Sequence, residues 1–186
     1  MIDFKKYKKD LIQTLNQKNL EKDTKVLFHE IKKTWKLNKN FFICGNGGSG
    51  ANAVHIANDF LYGAGTSNKK GLKVEALTSN PAVITCLAND ISFDKIFSEQ
   101  IKVKGEKNDL LLVLSGSGNS KNIINVLKEA KKLKLRTFAI LGFDGGKCIK
   151  LADNFIHTKI KDMQISEDFQ MILLNMIMKA LSKIKL

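Results

Sequence analysis

The sequence predicts an α/β domain with a mainly parallel sheet and helices on both faces. Short apolar runs alternate with helix-like segments from residue 41 onward. Two of these runs lead directly into small-residue loops that precede helical patterns, Gly45-Asn46-Gly47-Gly48-Ser49-Gly50 and Ser115-Gly116-Ser117-Gly118-Asn119-Ser120. The chain has 186 residues, 44% of them hydrophobic, enough for one substantial core. With no linker, repeat or low-complexity stretch, residues 1–186 read as one domain, with a helical arm over 1–37 and the α/β core over 38–186.

Leu11, Leu15, Leu20, Val26-Leu27 and Ile31 recur at helical spacing among charges, so residues 3–37 are expected to be helical. A strand is expected at 41–44, a loop at 45–50 and a helix at 51–61. A second strand follows at 72–77. The segment from Pro81 to Ala88 is a helix with proline in its first turn. One helix is expected over 93–103, a strand over 110–114, a helix over 120–133 and a fourth strand over 136–141. Residues 143–146 form a glycine-marked turn, 153–158 a short fifth strand and 166–184 the last helix. In such folds ligands sit beyond the carboxyl ends of the strands, where both small-residue loops lie.

Composition narrows the function. No apolar run approaches the roughly 20 residues of a membrane span. The charged start, residues 1–10, lacks a signal-peptide apolar segment, so a cytoplasmic location is expected. Cys44, Cys86 and Cys148 have no metal-ligand spacing, and the two in apolar surroundings read as small core residues. The formal net charge of +13 comes almost wholly from scattered lysines, and Arg136 is the only arginine. Base and phosphate readout favours arginine's fork of donors, so solvated lysines on helix faces are the expectation and nucleic-acid binding is disfavoured.

Residues 111–120 carry the main chemical signal. An apolar strand runs into serines and glycines that open a helix. Glycines let the backbone approach an anion, hydroxyls donate, and the first N–H groups of the helix are unpaired. This predicts a grip on a phosphorylated small molecule. The first loop has neither G-x-G-x-x-G spacing nor the Lys-Ser/Thr pair of a P-loop, which leaves no nucleotide cofactor implied. His55 and Asp59, four apart, share a helix face, where they can hold a metal, form an acid–base pair or simply hydrogen-bond. Asp90 can accept sugar hydroxyls or cap the following helix. Glu167-Asp168 opens the last helix, where acidic residues complement the dipole. Glu167 shares a face with Asn175. His29 and His157 have no evident partner.

The segments 42–50, Asn89-Asp90 and 115–120 together resemble the sugar isomerase (SIS) domain family, in its phosphoheptose isomerase branch. The resemblance runs over about residues 1–184. It implies a flavodoxin-like three-layer α/β/α sandwich with a five-stranded parallel sheet, assembled as a homotetramer with sites between subunits. It implies conversion of sedoheptulose 7-phosphate to a heptose 7-phosphate for surface polysaccharide or lipopolysaccharide precursors. Ser115, Ser117 and Ser120 match the family's phosphate-binding serines. Asn46, Gly47 and Ser49 match a substrate-contacting loop, and Asp90 a substrate-binding aspartate. His55 and Asp59 match a histidine and an acid that bind zinc or serve catalysis; the family more often has glutamate at the second position. Residues 143–146 and 163–168 resemble members from surface-polysaccharide clusters.

The chain also departs from the family. Aligning Glu167-Asp168 on its Gln-Glu pair places Gln170 and Asn175 where two histidines usually stand, and asparagine shuttles no proton at neutral pH. Tyr62-Gly63-Ala64 replaces a Gly-Arg-Tyr. For an aldose–ketose isomerase the expected base is Glu167, with Asp59 second. A zinc ion on His55, Asp59 and Glu167 would polarise the carbonyl. The competing expectation, favoured by Asn175 and the basic surface, is a non-catalytic SIS module that binds a phosphosugar or a protein partner of the replication-initiator type.

Overall fold

The computed structural model describes residues 2–65 and 70–184. Five strands form one sheet: β1 (Asn40–Gly45), β2 (Lys73–Ala76), β3 (Leu110–Ser115), β4 (Arg136–Leu141) and β5 (Asn154–His157). Their order is β2-β1-β3-β4-β5, and every neighbouring pair is parallel. The chain builds outward from β1 to β2, then returns to the other side of β1 for β3. That reversal makes the β1/β3 boundary the topological switch point.

The period-2 pattern of the strands splits the core into two layers. Phe41, Ile43, Leu110, Leu112, Leu114, Phe138 and Ile140 face one way. They pack on α2 (Leu20–Lys36), α3 (Gly47–Tyr62) and α8 (Met163–Leu181) through Leu27, Ile31, Ile56, Phe60, Phe169 and Leu173. Phe42, Cys44, Leu111, Val113, Ala139 and Leu141 face the other way. They meet α5 (Ser98–Lys104) and α6 (Lys121–Lys132) through Ile101, Ile123, Val126 and Leu127. Strands buried on both faces read as near-continuous apolar runs, which is why β3 was conspicuous in the sequence.

Several boundaries differ from expectation. The helical arm is two helices, α1 (Phe4–Leu15) and α2, broken where Asn19 takes φ +72°. The helix after β1 starts at Gly47, not residue 51, so the expected loop is mostly the first turn of α3. The segment 93–103 is a 3-10 turn (Phe93–Lys95) followed by α5 rather than one helix. The last helix starts at Met163, capped by Asp162, whose carboxylate accepts from the Ile165 N–H at 3.0 Å. Glu167-Asp168 therefore sits in the second turn, not the first, and its position is not explained by the dipole alone. A short α7 (Cys148–Leu151) went unforeseen. Asp90 ends α4 (Pro81–Asp90) and caps nothing; Ser92 precedes the 3-10 turn and Phe97 precedes α5.

Two polar contacts fix the arm and the sheet. The Tyr7 hydroxyl donates to Asp168 Oδ2 at 2.6 Å, which ties α1 to α8 and pushes the phenol up to about 12. Buried Asp109, just before β3, accepts from Asn40 N, Asn40 Nδ2 and Glu106 N at 2.9, 3.1 and 2.9 Å. Asp109→Ala strands these donors at the start of the two central strands. We expect it to cost about 3 kcal/mol, read as a lower urea midpoint with unchanged m-value. A loss under about 0.5 kcal/mol would show that water replaces the carboxylate without penalty.

Cys44 and Cys148 are buried in the second layer, and burial pushes both thiols up, Cys148 to about 11. They are packing residues, as their apolar surroundings suggested. Among the described residues no helix is long and apolar enough to cross a membrane.

Candidate functional site

Both small-residue loops emerge at the carboxyl ends of β1 and β3 and flank the switch point. In the second loop, Ser115 Oγ accepts from the Gly118 N–H at 3.0 Å, and Ser117 Oγ accepts from the Asn119 N–H at 3.3 Å. Accepting uses a lone pair and leaves each O–H free to donate. Ser120 is the N-cap of α6 yet its side chain makes no capping bond. The N–H groups of Ser120, Lys121 and Asn122 meet no acceptor among the described residues. A pre-shaped turn with free donors at a helix N-terminus has the geometry that suits an anion.

Close backbone packing gives the loop its shape. Gly118 takes φ +64°, and a Cβ there would run into the Gly145 carbonyl oxygen. The Cys148 N–H donates to Gly118 O, and the Lys147 N–H to Asn119 Oδ1. The glycine turn after β4 thus supports the serine loop. Met163 and Ser166 of α8 pack on Gly116 and Gly142 from the other side. The Ser166 hydroxyl is buried without a hydrogen-bond partner among the described residues.

At the first loop, Asn46 is the N-cap of α3 but its side chain turns away from that helix. Its amide instead pairs with the Asn122 amide of α6 through two reciprocal bonds of 2.9 and 2.8 Å. The α3 N-terminus is capped from α8: Glu167 Oε1 accepts from the Ser49 N–H at 3.1 Å, and the carboxylate lies where a Gly48 Cβ would stand. Asn52 Nδ2 donates to the Glu167 carbonyl and to Gln170 Oε1, both at 3.0 Å, and Gln170 Nε2 donates to Ser49 Oγ at 3.1 Å. Gln170 is thus a buried linker between α8 and α3. Beside this network, a cleft of about 420 Å³ is lined by Asn46, Gly47, Val54, Thr78, Ile84 and Phe93 among others.

The predicted residues are only partly gathered. Asn46, Gly47, Ser115, Ser117 and Ser120 meet at the switch point, and Ser49 meets Glu167. His55 and Asp59 form their expected pair, Nε2 to Oδ2 at 3.4 Å, with His55 largely open to solvent. That pair stands about 9 Å or more along α3 from Ser49 at 1.5 Å per residue, so one chain does not bring Glu167 to it. Among the described residues no three His, Cys, Asp or Glu side chains cluster for a metal. A catalytic zinc needs three protein ligands, so the expected set of His55, Asp59 and Glu167 within one chain does not fit zinc. Asp90 is exposed at the end of α4 and accepts from Asn89 Nδ2 and Cys86 Sγ. These bonds hold its carboxyl below the usual range, Asn89 contributing most. Asn175 is exposed on α8. His157 is not partnerless: its Nε2 lies 3.1 Å from the Phe143 carbonyl.

Asn122 and Asn52 were missed in the sequence. Asn122 had a signal: it shares the buried stripe of α6 with Val126 and Ala130, and a polar residue on such a stripe must be bonded to something.

Comparison with known proteins places this geometry. The SIS domain family model matches residues 3–142. A phosphoheptose isomerase of Aliarcobacter butzleri is 39% identical over 143 residues, 77% of this chain and 72% of the relative. One from Helicobacter pylori is 35% identical over 151 residues, 81% and 77% respectively. The solved structure of phosphoheptose isomerase GmhA from Neisseria gonorrhoeae superimposes with a TM-score of 0.88 at 24% identity, covering 97% of this chain and 95% of that one; this likeness speaks for the fold.

Proposed function

Because the chain belongs to the SIS domain family, we propose that it is a phosphosugar isomerase interconverting sedoheptulose 7-phosphate and a heptose 7-phosphate. The observation that carries the reading is the serine loop over an uncapped α6 N-terminus at the switch point. Ser115, Ser117, Ser120 and the free amides hold the phosphate. Asn46 and Gly47 guide the sugar chain into the adjoining cleft, and Asp90 accepts sugar hydroxyls. The reaction removes a proton from the carbon beside the carbonyl, passes through an enediol(ate) and returns the proton to the neighbouring carbon. Glu167 is the base, its carboxylate aimed by the Ser49 N–H, with Asp59 the second candidate. The protein acts in the cytoplasm as a single SIS domain.

A homotetramer is part of this reading. It is supported by an apolar groove of about 600 Å³ between the α1–α2 corner and α8, lined by Leu15, Leu20, Phe28, Phe169 and Met176 among others.

The test is incubation with sedoheptulose 7-phosphate, with and without added zinc, followed by NMR. Conversion is the expected result. Saturable binding without conversion would instead establish the non-catalytic module, a reading favoured by exposed Asn175.

A further inference from the structure

The reciprocal amide pair between Asn46 and Asn122 joins the two halves of the site. Asn46 lines the cleft, and Asn122 stands two residues beyond Ser120 in the first turn of α6. An asparagine at an N-cap ordinarily accepts from its own helix. Asn46 gives up that bond, and Glu167 supplies a cap to α3 from outside. Asn122 is 1% exposed, and its Oδ1 accepts both from Asn46 and from the Ile123 N–H at 2.9 Å. Each amide bonds the other directly, and the bonds run across the boundary between the carboxyl ends of the paired strands β1 and β3. Both helices present their N-termini to this boundary, so the pair fixes the span between the anion cradle and the cleft floor.

We propose that Asn122 is a positioning residue for the isomerase reaction: through Asn46 it holds the sugar-contacting loop at the separation a bound phosphosugar requires. The proposal rests on the phosphosugar reading above. The Asn122 side chain bonds Asn46 and the Ile123 N–H rather than phosphate or sugar, and the backbone N–H that faces the cradle is kept in Asn122→Ala. The side chain acts by removing a degree of freedom that the substrate would otherwise have to freeze on binding.

The test exploits a ligand that needs only one half of the site. In Asn122→Ala, affinity for inorganic phosphate should stay within about threefold of the parent, because the serine loop is intact. Affinity for sedoheptulose 7-phosphate should fall about tenfold, the scale of two neutral hydrogen bonds. In the Asn46→Ala background, adding Asn122→Ala should change sugar-phosphate affinity less than about twofold, since the clamp has nothing left to hold. Equal losses for both ligands, or the same loss in both backgrounds, would make Asn122 merely structural and overturn the proposal. No loss for the sugar phosphate would overturn it as well. If Asn122→Ala does not fold, Asn122→Ser, which retains a hydroxyl in the helix turn, carries the same comparison. A parent protein that binds no sugar phosphate removes the functional reading and this inference together. A parent that binds, with an indifferent Asn122, removes the inference alone.

Discussion

Glu167→Gln is expected to lower kcat for sedoheptulose 7-phosphate by about 10²–10⁴-fold, the range for loss of a general base, while KM and thermal stability stay close to the parent. The prediction separates structure from chemistry at one carboxylate. A glutamine Oε1 still accepts from the Ser49 N–H, so α3 keeps its external cap. The bond from Asn52 reaches the backbone carbonyl of residue 167 and is indifferent to the side chain. Gln170 retains both of its partners, Asn52 and Ser49. What disappears is the proton acceptor. Progress curves by NMR, with solvent deuterium incorporation into the substrate as a second readout, check the outcome. A kcat within threefold of the parent would move the base to Asp59, whose pairing with His55 makes it the next candidate.

Gly118→Ala should abolish most of the phosphate grip. Position 118 adopts φ +64°, which costs a residue with a side chain about 1 kcal/mol. The added methyl also meets the Gly145 carbonyl, a backbone atom that cannot swing aside. The loop must therefore separate from the 143–146 turn, breaking the Cys148 N–H to Gly118 bond that holds them together. We expect affinity for inorganic phosphate and for the sugar phosphate to fall together by at least about tenfold, or 1.4 kcal/mol, measured by calorimetry. Gly47→Ala supplies the contrast. Gly47 has φ +54° with nothing within 4 Å of its would-be Cβ, so it carries the backbone strain without the collision. If the two variants bind phosphate alike, the packing of glycine on glycine is not what shapes the cradle.

Much of this architecture was legible in the residues. The continuous apolar run of β3 marked a strand with helices on both faces; in the structure Leu110, Leu112 and Leu114 face one helix set and Leu111 and Val113 the other. The serine loop was visible because it combines small residues with a helix start. The two ends of the long helices were harder. Glycines at 47, 48 and 50 discourage a helix locally, yet α3 begins there because Glu167 caps it from 118 residues away and packs where Gly48 lacks a side chain. Local propensity cannot register a partner so distant. For the same reason Glu167 looked like a dipole-complementing residue of its own helix, while the first-turn duty falls to Asp162.

The separation of Glu167 from His55 and Asp59 was likewise invisible. Spacing on one helix fixes a face, and the i,i+4 pair formed as expected. How far along α3 the α8 carboxylate lands depends on how the two helices pack, and packing placed it at Ser49 rather than a turn or two later.

By itself the sequence determined what periodicity and local chemistry can carry: the parallel α/β class, the apolar strands, the small-residue loop that opens a helix, and the buried cysteines. These depend on residues close in the chain. Tertiary structure alone decided which polar groups pair across elements, Asn46 with Asn122, Glu167 with Ser49, Tyr7 with Asp168. A hydrogen bond requires two groups within about 3 Å, and only the packing of whole helices brings residues from remote parts of a chain that close.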